Sequence, residues 1–198
     1  MPRERSRDDT RSAIAVHAAR LMAQDGIEDY GLAKRKAAKQ LGIPESGRLP
    51  TNDEIEVALR EYQGIYQGDA QAQRVRELRQ RAVKVMRGLT AFDPHLTGSA
   101  LSGIAGPYAG IRLQLFTDNI KAVELLLIDR DIAYKTTQTR LYAGQEARVL
   151  PVFTISDDGI EVELTVFDLR DLRVPARATP EGRTIERARI AAVENLLA

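Results

Sequence analysis

GSALSGIAGPYAGIRLQLFTD, running from Gly98 to Asp118, is the stretch whose reading decides the fold. It opens with a Gly-Ser pair, passes through a glycine-punctuated segment, and enters a strand-like run whose side chains alternate between two sides. Ile111, Leu113 and Leu115 fall on one side, a core face; Gly110, Arg112 and Gln114 fall on the other. A second alternating run lies further on. In IEVELTVFD, Val162, Leu164 and Val166 share one side, and Glu161 and Glu163 share the other. If the two runs are neighbouring strands, the cation of Arg112 and the two carboxylates meet on one face.

This arrangement resembles the entry segment of the nucleotidyltransferase superfamily, of the DNA polymerase beta and minimal nucleotidyltransferase type. Members carry a Gly-Ser pair at the end of a first strand and an Asp-x-Asp on the second. The turn lets backbone and hydroxyl approach a triphosphate, and the two aspartates, with a third carboxylate from a neighbouring strand, hold two magnesium ions. Here Gly98 and Ser99 supply the pair, but Gly110 and Arg112 stand where the aspartates would fall. A guanidinium is charged at all ordinary pH values and cannot ligate a hard cation. The resemblance, which spans about residues 74 to 170, therefore implies a catalytically degenerate member. It implies Gly98, Ser99 and Arg112 as contacts to a nucleotide or other anion, with Glu161 and Glu163 as the remaining candidate carboxylates and no assigned metal site. Arg112 is expected to pair with Glu163 or Glu161.

Composition sets the outer limits. Lys and Arg total 29 against 28 Asp and Glu, so no global field draws the chain to nucleic acid or to an anionic membrane. Hydrophobic residues at 43% and charged residues at 29% match ordinary globular usage. There is no cysteine, which excludes disulfides and thiolate metal sites. No apolar run approaches the roughly 20 residues of a membrane span, and MPRERSRDDTRS lacks the apolar core of a secretory signal, so a cytoplasmic location is expected.

Working outward from the central stretch, the first half reads as helical. Residues 1–9 are charged and polar and are expected to form a disordered tail, with order beginning near Thr10. A first amphipathic helix then stops at Gly26, and a second, through LAKRKAAKQLG, stops at Gly42. Thr51 and Glu54 form a capping box that opens a third, and Val75, Leu78, Ala82, Val83 and Met86 mark a fourth over about residues 70–89. From residue 92 the pattern changes to short strands: HLTGSAL, IRLQLFT, AYKTTQTRLY, RVLPVFTI and IEVELTVFD. A helix over about residues 119–127 separates the second from the third, and Asp157-Asp158-Gly159 makes a hairpin turn. Thr179-Pro180 is expected to open a C-terminal helix reaching Leu197.

The fold class is α+β: a helical part over residues 10–91, then a mixed β-sheet of nucleotidyltransferase-like type with a C-terminal helix over residues 92–198. No cofactor is assigned. Magnesium enters only under an alternative in which an active enzyme recruits Asp118, Glu161, Glu163 or Asp168 in a rearranged site. A second alternative is a helix-turn-helix regulator, since AAKQLGI ahead of a turn would put Lys34, Arg35, Lys36 and Lys39 near phosphates. The acidic opening of the next helix, Asp53, Glu54 and Glu56, repels DNA, so nucleic acid is not the expected partner. A protein partner through the N-terminal helices is the third alternative. His17 and His95 are expected to be structural, because neither has a second histidine at ligand spacing.

Overall fold

The computed structural model describes residues 2–27, 29–44, 49–66, 68–180 and 182–198, with side chains described from Asp9 onward and not at Tyr66. The chain divides into two compact units, Met1–Arg74 with Ile104–Ala109, and Val75–Gly103 with Gly110–Ala198.

The first unit holds α1 (Pro2–Asp25), α2 (Tyr30–Gln40), α3 (Asn52–Tyr66) and the opening of α4 (Gly68–Gly88). Gly26 at φ +69° and Gly42 at φ +68° follow the first two helices, in the left-handed region that ends a helix most readily at glycine. The capping box forms as read: the Thr51 amide donates to Glu54 Oε2 at 2.6 Å, and the Glu54 amide to Thr51 Oγ1 at 3.3 Å. Small residues at the helix contacts, Ala18, Ala19, Ala33 and Ala37, bury completely beside Ile14 and Ile55 and let the helix backbones approach closely. Ile104 joins this cluster, and buried Gln63 donates from Nε2 to the Ile104 carbonyl at 3.0 Å.

One expectation changes in this unit. The helix begins at Pro2, not near Thr10, because a helix satisfies its backbone internally and the Arg and Glu of this segment are good helix formers. The α2–α3 connection runs from Leu41 to Thr51, far longer than the three- or four-residue turn of a helix-turn-helix; its residues 45–48 lie outside the described residues. Two of the basic side chains are engaged within the unit. Lys34 donates to the Pro50 carbonyl at 2.8 Å and Asn52 Oδ1 at 2.9 Å, and Lys36 pairs with Asp25 at 3.1 Å.

The second unit is built on a seven-stranded mixed sheet in the order β6-β3-β4-β5-β2-β1-β7. Its strands are β1 (His95–Thr97), β2 (Ile111–Phe116), β3 (Tyr134–Ala143), β4 (Glu146–Asp157), β5 (Ile160–Phe167), β6 (Ala176–Arg177) and β7 (Arg187–Ala188). Its helices beyond α4 are α5 (Gly98–Ser102), α6 (Ile120–Asp129) and α7 (Ile190–Asn195). The β2–β5 pair is parallel and the other pairs are antiparallel. The Asp157–Gly159 turn forms with positive φ at Asp158 (48°) and Gly159 (83°), as a primed hairpin turn requires. One face of the sheet buries Leu96, Ile111, Leu113, Leu115, Val162 and Leu164. Tyr134, edge-on to Phe153 at 5.6 Å, reaches Glu124 of α6 with its hydroxyl at 2.8 Å.

The ends of the sheet depart from the sequence reading. HLTGSAL is not one strand, since the chain turns at Gly98 into α5. The C-terminal helix does not begin at Thr179 and occupies only Ile190–Asn195. Thr179 makes a turn, accepting from the Gly182 amide at 3.0 Å, and Ile185 returns its amide to the Ala176 carbonyl at 2.7 Å. Arg187 and Ala188 then pair with Thr97 and Leu96. Pairing along the open edge of β1 outweighs helix propensity here, because it satisfies backbone groups that β1 would otherwise leave unpaired.

Candidate functional site

The turn from β1 into α5 sets the geometry. Gly98 sits at φ +73°, the left-handed region, and a side chain there would begin 3.5 Å from Arg112 Cδ. Antiparallel pairing puts Thr97 opposite Arg112, so the Gly98-Ser99 turn is delivered beside the Arg112 side chain. On the other side of β2, parallel pairing puts Arg112 opposite Glu163, and Arg112 Nε donates to Glu163 Oε2 at 2.9 Å. The expected pairing is present, with Glu163. Gly98, Ser99, Arg112 and Glu163 thus converge at one place on the sheet.

This pair is not a stability device. The side chains are 43% and 37% exposed, and ion pairs so accessible to water contribute about 0–1 kcal/mol. The register extends further, because Arg187 is opposite Thr97 and therefore shares the face and the row of Arg112. The backbones of these two arginines lie two strand spacings apart, about 10 Å.

A magnesium cradle does not fit these residues. A Cβ at Gly110 would lie 2.6 Å from the Glu161 carbonyl oxygen, so the close approach of β2 and β5 admits no side chain where the first aspartate would stand. Arg112 brings a fixed cation to the second position. Glu161 is exposed and two residues before Glu163 on the same face, so two carboxylates remain, one of them engaged by Arg112. Asp118 and Asp168 lie past the opposite ends of β2 and β5. Five or six residues of strand, on the order of 16–20 Å, separate them from Glu163 and Arg112. There Asp118 accepts from the Leu169 amide at 3.3 Å, and Asp168 accepts from the Arg170 amide at 3.0 Å. Among the described residues no group of three or more His, Asp or Glu is placed to hold a metal ion.

Alternation alone missed how much of this face is covered. Gln114, assigned to the polar side, is only 3% exposed. Phe116 and Phe167 stack at 5.3 Å and cluster with Leu150, Ala176, Leu172 and Ile185, so the segment after β5 folds over this end of the sheet. Arg187 places its guanidinium 5.0 Å from the Phe116 ring centroid and donates to the Leu172 carbonyl. His95, opposite Gln114, is buried edge-on to Phe116. Its Nδ1 bonds the Asp93 carbonyl at 2.8 Å, which fixes the proton there and leaves Nε2 to accept from Arg189 Nε at 3.2 Å. Burial pulls its pKa below the ordinary histidine value, reinforced by Arg187 and Arg189, while Asp93 opposes the shift. His95 is therefore a neutral structural residue, and the signal that could have found its partners was the run of arginines after Thr184.

No protein-family model matches the sequence, and no curated protein matches it. Among solved structures, one of a cytoplasmic RNA terminal U-transferase is similar over 56% of this chain and 33% of its own, with 20% identity and a TM-score of 0.34. The match thus spans about a third of that protein, and no residue role follows from a likeness of this size. No described helix is long and apolar enough to cross a membrane.

Proposed function

We propose that this protein is a nucleotidyltransferase-like protein without metal-dependent transfer activity, which binds the phosphates of a nucleotide, or a comparable anion, at Gly98, Ser99 and Arg112. The observation that carries the reading is the Arg112–Glu163 pair at 2.9 Å, which stands where the resemblance calls for a carboxylate facing magnesium. A fixed guanidinium can meet a phosphate oxygen without a metal, and Glu163 holds it toward the turn at Gly98 until the ligand arrives. Partial exposure of both side chains leaves the pair open to exchange with an incoming anion. Glu161 and Glu163 are assigned no catalytic step.

The test is a thermal shift of the full chain with each nucleoside triphosphate, with and without magnesium, beside a nucleotide-labelling assay. Stabilisation that persists in EDTA, is lost in Arg112→Ala and comes with no labelled product is the expected result. Magnesium-dependent stabilisation, or transfer of a nucleotide to any acceptor, overturns it.

A further inference from the structure

The sheet is left open along β3. Its inner edge pairs with β4 over its whole length, Tyr134 to Ala143. Its outer edge pairs with β6 only at Tyr142 and Ala143. Among the described residues no other strand lies against that edge, and Lys135, Thr136, Thr137, Gln138 and Arg140 are all exposed. A strand edge of this kind presents a row of backbone donors and acceptors, and such edges are usually shortened, twisted away, covered or guarded against like partners by charged side chains. This one has neither proline nor glycine, and its threonines are strand formers.

The charge on this edge selects the occupant. Lys135 and Arg140 are its charged residues, and both are cations. They are five positions apart in sequence, so they project from opposite faces of the sheet. On the Arg140 side lies Arg177, opposite Tyr142. A second copy of β3 would bring like charges into the same small area, which disfavours self-pairing. A single-stranded nucleic acid would use the charge, but it has no peptide groups to complete the strand edge, and stacking would rest on Tyr142, which is half-buried.

We infer that the open edge of β3, Lys135 to Arg140, is a strand-addition site for an extended acidic peptide of a protein partner. The peptide adds antiparallel to β3, the sense in which β4 and β6 already pair with it. Its backbone supplies the missing hydrogen bonds. Two acidic side chains five positions apart meet Lys135 on one face and Arg140 on the other, and β-branched residues between them lie beside the threonines. This inference is independent of the anion site at Arg112.

The experiment is fluorescence anisotropy with the full chain and a labelled peptide, Gly-Glu-Val-Thr-Ile-Thr-Glu-Gly. Three companion peptides are used: one with both glutamates changed to lysine, and two N-methylated on alternate sets of backbone amides. The acidic peptide is expected to bind and the lysine peptide to bind at least about tenfold more weakly. One N-methylated set should abolish binding while the other preserves it, because alternate amides of an added strand face the sheet. Lys135→Glu with Arg140→Glu should weaken the acidic peptide at least about tenfold with an unchanged far-ultraviolet spectrum. Hydrogen exchange on the unaltered chain should show new protection within residues 135–140. No binding of the acidic peptide, equal binding of both N-methylated sets, or displacement of the peptide by oligo(U) or oligo(dT) overturns the inference.

Discussion

Replacing Arg112 with aspartate is expected to build a cation site between β2 and β5. The substitution sets a new carboxylate opposite Glu163 on the adjacent parallel strand, about 5 Å away, with Glu161 two residues along on the same face. Without metal, the variant loses a half-exposed ion pair and gains a repulsion. At 5 Å and a dielectric between those of water and a protein surface, the repulsion is about 1–3 kcal/mol, and exposure of both positions puts it near the lower end. A melting temperature lower by about 2–4 °C per kcal/mol follows for a chain of this size. Divalent ions should then reverse the loss. With a dissociation constant of about 1 mM, 10 mM magnesium or manganese returns about 1.4 kcal/mol. Differential scanning fluorimetry across a metal titration reads both effects, and Arg112→Ala separates loss of the cation from gain of the acid. If the unaltered protein is stabilised by magnesium as much as Arg112→Asp, or if Arg112→Asp ignores both metals, Arg112 does not stand in the place of a metal ligand.

Further outcomes follow from neighbouring features. Gly110→Ala sets a methyl against the Glu161 carbonyl at 2.6 Å and should destabilise the sheet unit by about 1–3 kcal/mol, read as a lower urea midpoint; an unchanged midpoint would mean that β2 and β5 separate easily at this point. His95 is held neutral, so its folded-state pKa lies below its unfolded value of about 6.5. The unfolded state binds the extra proton, so the stability owed to neutral His95 is full above about pH 6.5 and is lost as pH falls through the lowered value. His95→Phe should flatten that part of the urea midpoint's pH profile, and parallel profiles would remove His95 as the cause. Glu54→Ala loses the bond to the Thr51 amide and the pair with Arg11 at 2.7 Å, and should cost the helical unit about 1–2 kcal/mol by urea-induced loss of helicity; a loss under a few tenths would show that solvent replaces both contacts.

What could be read from the chain was what its neighbours in sequence decide. The Thr51–Glu54 cap, the stops at Gly26 and Gly42, the Asp158-Gly159 turn and the alternation of IEVELTVFD depend on residues within a few positions, and all form as read. The meeting of Arg112 and Glu163 was legible because both lie on the polar side of alternating strands, and the resemblance made those strands neighbours. Gly110 looked like a missing acid, and the close backbone approach that requires glycine there comes from a strand some fifty residues away. Arg187-Ala188 reads locally as part of a helix, and only the free edge of β1 converts it into a strand. Gln114 is polar by type and buried by the fold-over of residues beyond Phe167, which no local period encodes.

The excursion at Ile104–Ala109 makes the helical unit discontinuous in sequence. A fragment cut after Arg74 would leave Gln63 without its acceptor at Ile104 and the alanine-lined core without one of its walls. During synthesis the same logic applies to time: the helical unit is complete only when the ribosome has made some thirty-five residues past Arg74, after the residues of the first strand have been made. The two halves are therefore interleaved in birth order, and exchanging either one for another sequence requires three junctions, not one.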